Sequence, residues 1–248
     1  MDSKLVPKNL KGQNNMKTQQ ENITFRFVFE DGSEKVFPIE IDPDSFQIIF
    51  PKDLVVPEWT TLEKISCPMT NCTARHFCPI AFHLDKVIKL FDGVPSYEAA
   101  TVHVETKSRT YSKHTSVQDG AGSLIGILMT TSGCYVLDKL RPMVHFHLPF
   151  ATLEETEYRI FSMFLFAQFL RQKNGLQPDW QMISLGKLYE DIMKINQNFA
   201  KRIADLEKLD ASINAVIILN NFANSVTFSL EDKDFAKFEK LFGIWLEK

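Results

Sequence analysis

Strict alternation of apolar and polar residues stops near position 116, and from Val117 onward apolar residues recur at steps of three and four. A period of two needs a strand and a period near 3.6 needs a helix, so the chain must build strands first and helices afterwards. That order predicts an α+β fold: a small N-terminal antiparallel β region with a Cys-rich loop, followed by a C-terminal helical bundle. With 248 residues the chain can bury a substantial core. The reading divides it into a flexible polar tail (1–21), a β-rich region with the Cys-rich loop and one helix (22–115) and the bundle (116–248), the last two packed as one unit.

The local signals are specific. Ile23 to Glu30 alternates, Asp31-Gly32-Ser33 turns, and a second strand follows near Lys35 to Ile41. Pro38 cannot donate to a ladder, which puts that strand at an edge. A short third strand is expected from Phe46 to Phe50, and a second hairpin from Ala100 to about Tyr111. Pro79 suits the first turn of a helix to about Phe91. Glycines at 120, 122 and 126 cost a helix roughly 1 kcal/mol each, so they imply close backbone packing there. Thr152 and Glu155 form a capping-box pattern opening a helix from Leu153 to Lys173, whose Ile160, Phe161, Phe164, Phe166 and Phe169 read as a central buried helix. A seam through Leu185, Leu188, Ile192, Ile195, Phe199 and Ile203 marks the next helix, 181–209. It suits bundle packing first and a homodimeric coiled coil second. Helices from Asp210 to about Val226 and from Ser229 to about Leu246 complete the chain.

Charge and composition narrow the function classes. A formal net charge of −3 offers no general attraction for nucleic acid or an anionic membrane. The longest apolar run, near Ile160 to Leu170, is about half of the roughly 20 residues that a spanning helix needs. The expectation is a cytoplasmic protein with a protein or small-molecule partner. The 21 Phe against 5 Tyr and 3 Trp should mostly fill the core, with an excess around a groove or interface.

Cysteine carries the sharpest chemical signal. Cys67, Cys72 and Cys78 fall within twelve residues, and Cys134 follows Ser132-Gly133. Soft thiolates gathered on a turn-rich loop suit tetrahedral zinc, with Cys134 as the fourth ligand and His76 as its substitute; an iron–sulfur cluster is the less favoured cofactor. The spacings are not those of a standard zinc finger. Unligated core cysteines and a redox pair are the alternatives.

A second cluster follows. If Arg141 to Phe150 is extended, His145 and His147 share a face and run into a helix bearing Glu155 and Arg159. Together they could form a catalytic or metal site, with His147 as base or ligand, Glu155 as orienter and Arg159 as an anion clamp. The alternative reading leaves Glu155 to its capping box and the histidines to local hydrogen bonds. No phosphate-binding loop, nucleophile elbow or His-Glu-x-x-His occurs.

Several stretches together resemble an uncharacterised bacterial domain-of-unknown-function family: Cys67-Pro68-Met69, Cys78-Pro79-Ile80-Ala81, Thr131-Ser132-Gly133-Cys134, Arg141-Pro142-Met143, His147-Leu148-Pro149-Phe150, Glu154-Glu155-Thr156 and Pro178-Asp179-Trp180. The resemblance covers roughly Leu62 to Asn221. Lys64 stands where the family pattern places a first cysteine, and Tyr135 replaces a proline; Cys72 would supply the missing ligand. The resemblance implies a bacterial cytoplasmic protein and no established activity.

Three functions follow, in order: a regulatory or interaction module stabilised by a Cys-ligated metal, an enzyme using His145, His147, Glu155 and Arg159, and a thiol or iron–sulfur redox sensor. Whether the protein is an enzyme is open at this point.

Overall fold

The computed structural model describes residues 21–51, 53–206, 210–232 and 235–247. The tail expected over 1–21 lies almost wholly outside them. Strands β1 (Glu21–Phe29), β2 (Glu34–Ile41), β3 (Ala99–Thr106) and β4 (Thr110–Ser116) form one four-stranded antiparallel sheet in the order β2-β1-β3-β4. The two hairpins therefore join side by side. Phe25 faces Phe37 and Val104 in register, and Phe27 faces Val102. Alternation sends Phe25, Phe27, Ile39, Ile41, Val102 and Val104 into the core. Arg26 stays on the outer face, paired with Glu105 at 2.7 Å. Pro38 lies on β2, at an edge of the sheet.

The expected third strand is corrected to an irregular segment. Asp42 accepts hydrogen bonds from the amides of Asp44 and Ser45, and Phe46 adopts a left-handed φ of 56°. The Ile48 amide donates to the Thr131 carbonyl, so only an isolated bridge to Ile41 forms. The segment ties the sheet edge to a helix end instead.

Helix α2 (Val117–Thr131) lies beneath the sheet, and helix α1 (Pro79–Leu90) packs against α2. Two long helices, α5 (Ile183–Leu206) and α6 (Asp210–Glu231), pack together, with α6 also against α2. The helix sandwiched between layers is thus α2. Its Gly120 meets the sheet, while Gly126 faces Leu219 of α6. The short α3 (Arg141–His145) leads to α4 (Leu153–Lys173), which starts at the expected capping box. Only Glu157, Ile160, Phe161 and Gln168 of α4 are buried. The expectation of a central buried helix is corrected: Phe166 and Phe169 are 62% and 52% exposed.

The predicted α5 seam is buried within the chain, with Leu185, Leu188, Ile192, Ile195, Phe199 and Ile203 all in the core. The expected final helix is split: α6 runs on to Glu231, and α7 (Ala236–Leu241) and α8 (Gly243–Leu246) follow. By length and composition α6 is the one described helix able to cross a membrane. In this fold its apolar side chains contact α2 and α5 and line a cavity. One continuous buried cluster contains residues from the sheet and from the helices.

Candidate functional site

The Cys-rich loop is closed at its base. The Leu62 amide donates to the His76 carbonyl, and the Cys78 amide to the Thr60 carbonyl at 2.8 Å. Cys67 and Cys72 are carried inside this closed loop. Cys78 is the residue capping the start of α1, directly before Pro79. Cys134 follows the end of α2, after Gly133 turns the chain at a φ of 89°. All four cysteines, from three separate segments, line one cavity of about 130 Å³ between the loop, α1 and α5. His76 is exposed and does not line it.

All four thiols are free. Burial, then the neighbouring Cys72 and Cys78, pushes the Cys67 thiol up to about 11. Burial, then Cys134 and Cys72, does the same for Cys78, to about 11, and burial raises Cys134. The charge of Cys72 acts on each of the other three, so Cys72 stands among them. Among the described residues no three His, Cys, Asp or Glu side chains are grouped to hold a metal ion as they stand. Asn198 on α5 also lines the cavity, and its buried Oδ1 has no hydrogen-bond partner.

A larger cavity of about 310 Å³ lies in the helical layers, lined from α2, α3, α4, α5 and α6 and from the segment between α3 and α4. Its walls include Ile127, Met143, Phe150, Ile192, Leu219 and Phe222. Its polar lining includes His147, Arg159, Tyr189 and Asn196. Pro142 permits a helical turn, so the stretch expected to be extended is α3, and the two histidines part company. His145 is exposed and lies edge-on to Phe46 and Phe146, whereas His147 lines the cavity. The buried Nε2 of His147 has no partner. Burial, with the positive charge of Arg159, lowers His147 to about 3, so it is neutral at physiological pH.

Arg159 donates from Nη2 to the carbonyls of Met143 at 2.8 Å and Phe146 at 3.0 Å, which caps α3. Glu155 is committed elsewhere. Its carboxylate accepts from the Thr152 amide at 2.7 Å, it is exposed, and it does not line the cavity. Of the four residues expected to converge, the fold brings together His147 and Arg159 only. Phe150 completes the wall at a left-handed φ of 59°, its amide donating to Ser123 Oγ at 3.1 Å. A bulky residue there is strained and must be held by its surroundings.

A family model described as a domain of unknown function, DUF6901, matches residues 23–243. The chain belongs to that family. No curated protein and no solved structure matches it. In this DUF6901 chain the stretches that carried the resemblance gather at the two cavities: Cys67-Pro68 and Cys78-Pro79 at the smaller, His147-Leu148 and Phe150 at the larger. Pro178-Asp179-Trp180 instead prepares α5, since Asp179 accepts from the amides of Ile183 and Ser184. Sequence reasoning missed Tyr189 and Asn196, which are 4% and 2% exposed on the α5 seam. Polar groups inside an otherwise apolar helical stripe were the available signal.

Proposed function

We propose that this DUF6901 chain is a non-catalytic regulatory or interaction module, stabilised by a structural metal ion at Cys67, Cys72, Cys78 and Cys134. The observation that carries the reading is the convergence of four unpaired cysteines, from three segments, on one small cavity. Random burial of cysteines would scatter them through the core. The donor set is all sulfur, which suits zinc, or iron in a cluster, better than magnesium or calcium. Asn198 Oδ1 adds a buried acceptor left unsatisfied by protein groups.

Binding would draw the loop inward until each sulfur lay about 2.3 Å from zinc. It would fasten the loop, the start of α1 and the chain after α2 to one another beside α5. Catalysis is not invoked, because the polar cluster that could have supported it is divided: Glu155 caps a helix and His145 lies outside the larger cavity.

The test is elemental analysis of anaerobically purified protein with an absorption spectrum of the same sample. About one zinc per chain without visible absorption is the expected result. Iron with sulfide would turn the site into a cluster and the module into a redox sensor. Protein free of metal, with a melting temperature unmoved by added zinc, overturns the reading.

A further inference from the structure

The larger cavity carries an inference of its own, independent of the cysteine site. Three features set its chemistry. Its walls are apolar, it contains a partly buried cation with no carboxylate bound to it, and it presents a buried imidazole nitrogen with nothing to bond. Pockets that bind small molecules have this composition, apolar walls with a few convergent polar groups.

The Arg159 guanidinium is engaged at one nitrogen only. Both of its hydrogen bonds leave from Nη2 to backbone carbonyls, so Nε and Nη1 have no partner among the described residues. Glu155, one turn earlier, attracts Arg159 electrostatically but spends its carboxylate on Thr152. The charged lining residues are Arg159 and Lys113 against Asp119, and Asp119 is itself bonded to Thr115 at 2.8 Å. A positive charge in such a place is stabilised by an anion. Nη1 keeps two N–H donors that a carboxylate oxygen can accept in charge-assisted hydrogen bonds. Burial raises the Tyr189 phenol, which stays protonated and able to donate. Neutral His147 can present an N–H at Nε2 without adding charge.

We propose that this cavity binds a small aliphatic monocarboxylate, its head on Arg159, Tyr189 and His147 and its chain against Ile127, Ile192, Leu219 and Phe222. The volume of about 310 Å³ limits the ligand. It stands at the bottom of the roughly 300–1,000 Å³ typical of ligand pockets, which admits a medium-length chain and not a two-chain lipid. The partner of the module is then a metabolite-sized amphipathic acid.

The experiment is calorimetric titration of the full-length chain, freed of bound lipid, with octanoate, octanol and octylamine. These share a tail and differ in the head. Octanoate should bind about tenfold or more tighter than octanol, and octylamine weakest, because charge-assisted bonds to Arg159 need the anion. Arg159→Gln should remove that advantage while leaving octanol unchanged. Since Arg159 also caps α3, Tyr189→Phe provides a second variant that keeps the ring and loses one donor; it should weaken octanoate several-fold and octanol little. Equal affinity for octanoate and octanol, or an octanoate advantage that survives both substitutions in folded protein, overturns the proposal. Metal content of the same samples keeps this outcome separate from that of the cysteine site.

Discussion

Gly120 of α2 lies directly against the ring of Phe27 on β1: a Cβ at position 120 would meet Phe27 Cε1 at 2.6 Å and Val102 Cγ2 at 2.9 Å. This contact sets how near the central helix sits to the sheet. Both neighbours are buried completely, so neither can swing aside. Helix propensity favours alanine by roughly 1 kcal/mol, but overpacking a filled core costs about 1–3 kcal/mol. The 2.6 Å approach puts the cost at the upper end of that range, so we expect Gly120→Ala to destabilise by up to about 2 kcal/mol net in urea unfolding. Gly126→Ala, whose Cβ would meet Leu219 at an ordinary 3.6 Å, should be neutral or stabilising. The opposite ranking would mean that α2 is positioned by other contacts.

His83 provides a pH test. Its ring lies between Phe50 and Phe82, centroids 4.9 and 5.3 Å away, and its buried Nε2 has no partner. Burial, helped by Lys86, lowers it to about 4. The folded state thus takes up the proton less readily than the unfolded chain, whose histidine titrates near 6.5. The neutral ring's contribution is complete above about pH 6.5 and is lost as pH falls toward 4. Over that window His83 should remove roughly 3 kcal/mol of stability. His83→Phe keeps the aromatic packing and deletes the unsatisfied atom, so it should cost little at pH 7 and flatten the acid limb. His147 adds a slope of the same sign, so the informative quantity is the difference between wild type and variant. Parallel acid limbs would show that His83 finds a partner when charged.

The sequence carried the element order well where the signal was local. The capping box at Thr152 and Glu155 placed the start of α4, and Pro79 that of α1. It failed where tertiary geometry decided. Phe46 to Phe50 has strand composition, but Asp42 turns the chain and the Ile48 amide is taken by Thr131. The pairing of His145 with His147 assumed extended backbone, and one helical turn at Pro142 separated them. Convergence of Cys134 with the loop cysteines was legible in residue type alone. The larger cavity was not, because it is a space left between five helices and no residue pattern encodes a space.

Apolar content misled in a different way at α4. Phe166 and Phe169 stack on each other, centroids 6.2 Å apart, on an exposed stretch of that helix. Hydropathy reports what a residue would prefer, not whether a neighbour is present. Replacing both rings by serine should change stability by less than about 0.5 kcal/mol at low protein concentration. A loss well above 2 kcal/mol that grows with protein concentration would instead reveal that a second copy covers them.

Glu157 is the deepest acid among the described residues of the helical half, 1% exposed, and it joins three helices. Its carboxylate accepts from Ser225 Oγ at 2.7 Å and Ser229 Oγ at 3.3 Å on α6, and pairs with Lys237 of α7. Breaking a fully buried ion pair from one side costs about 3–5 kcal/mol, because the remaining charge is stranded. Lys237 is 40% exposed, so water already screens the pair, and the two serines would stay on the carboxylate. We therefore expect Lys237→Met to cost about 2 kcal/mol, less than a fully buried pair. Glu157→Gln should cost less again, since the amide oxygen still accepts from the serines and no charge is left uncompensated. With both changes together, the loss should fall short of the sum of the single losses, the sign of a direct interaction. Additive losses would mean that α7 is held by the contacts of Phe238 with Tyr158 and Phe161, and that the ion pair is incidental.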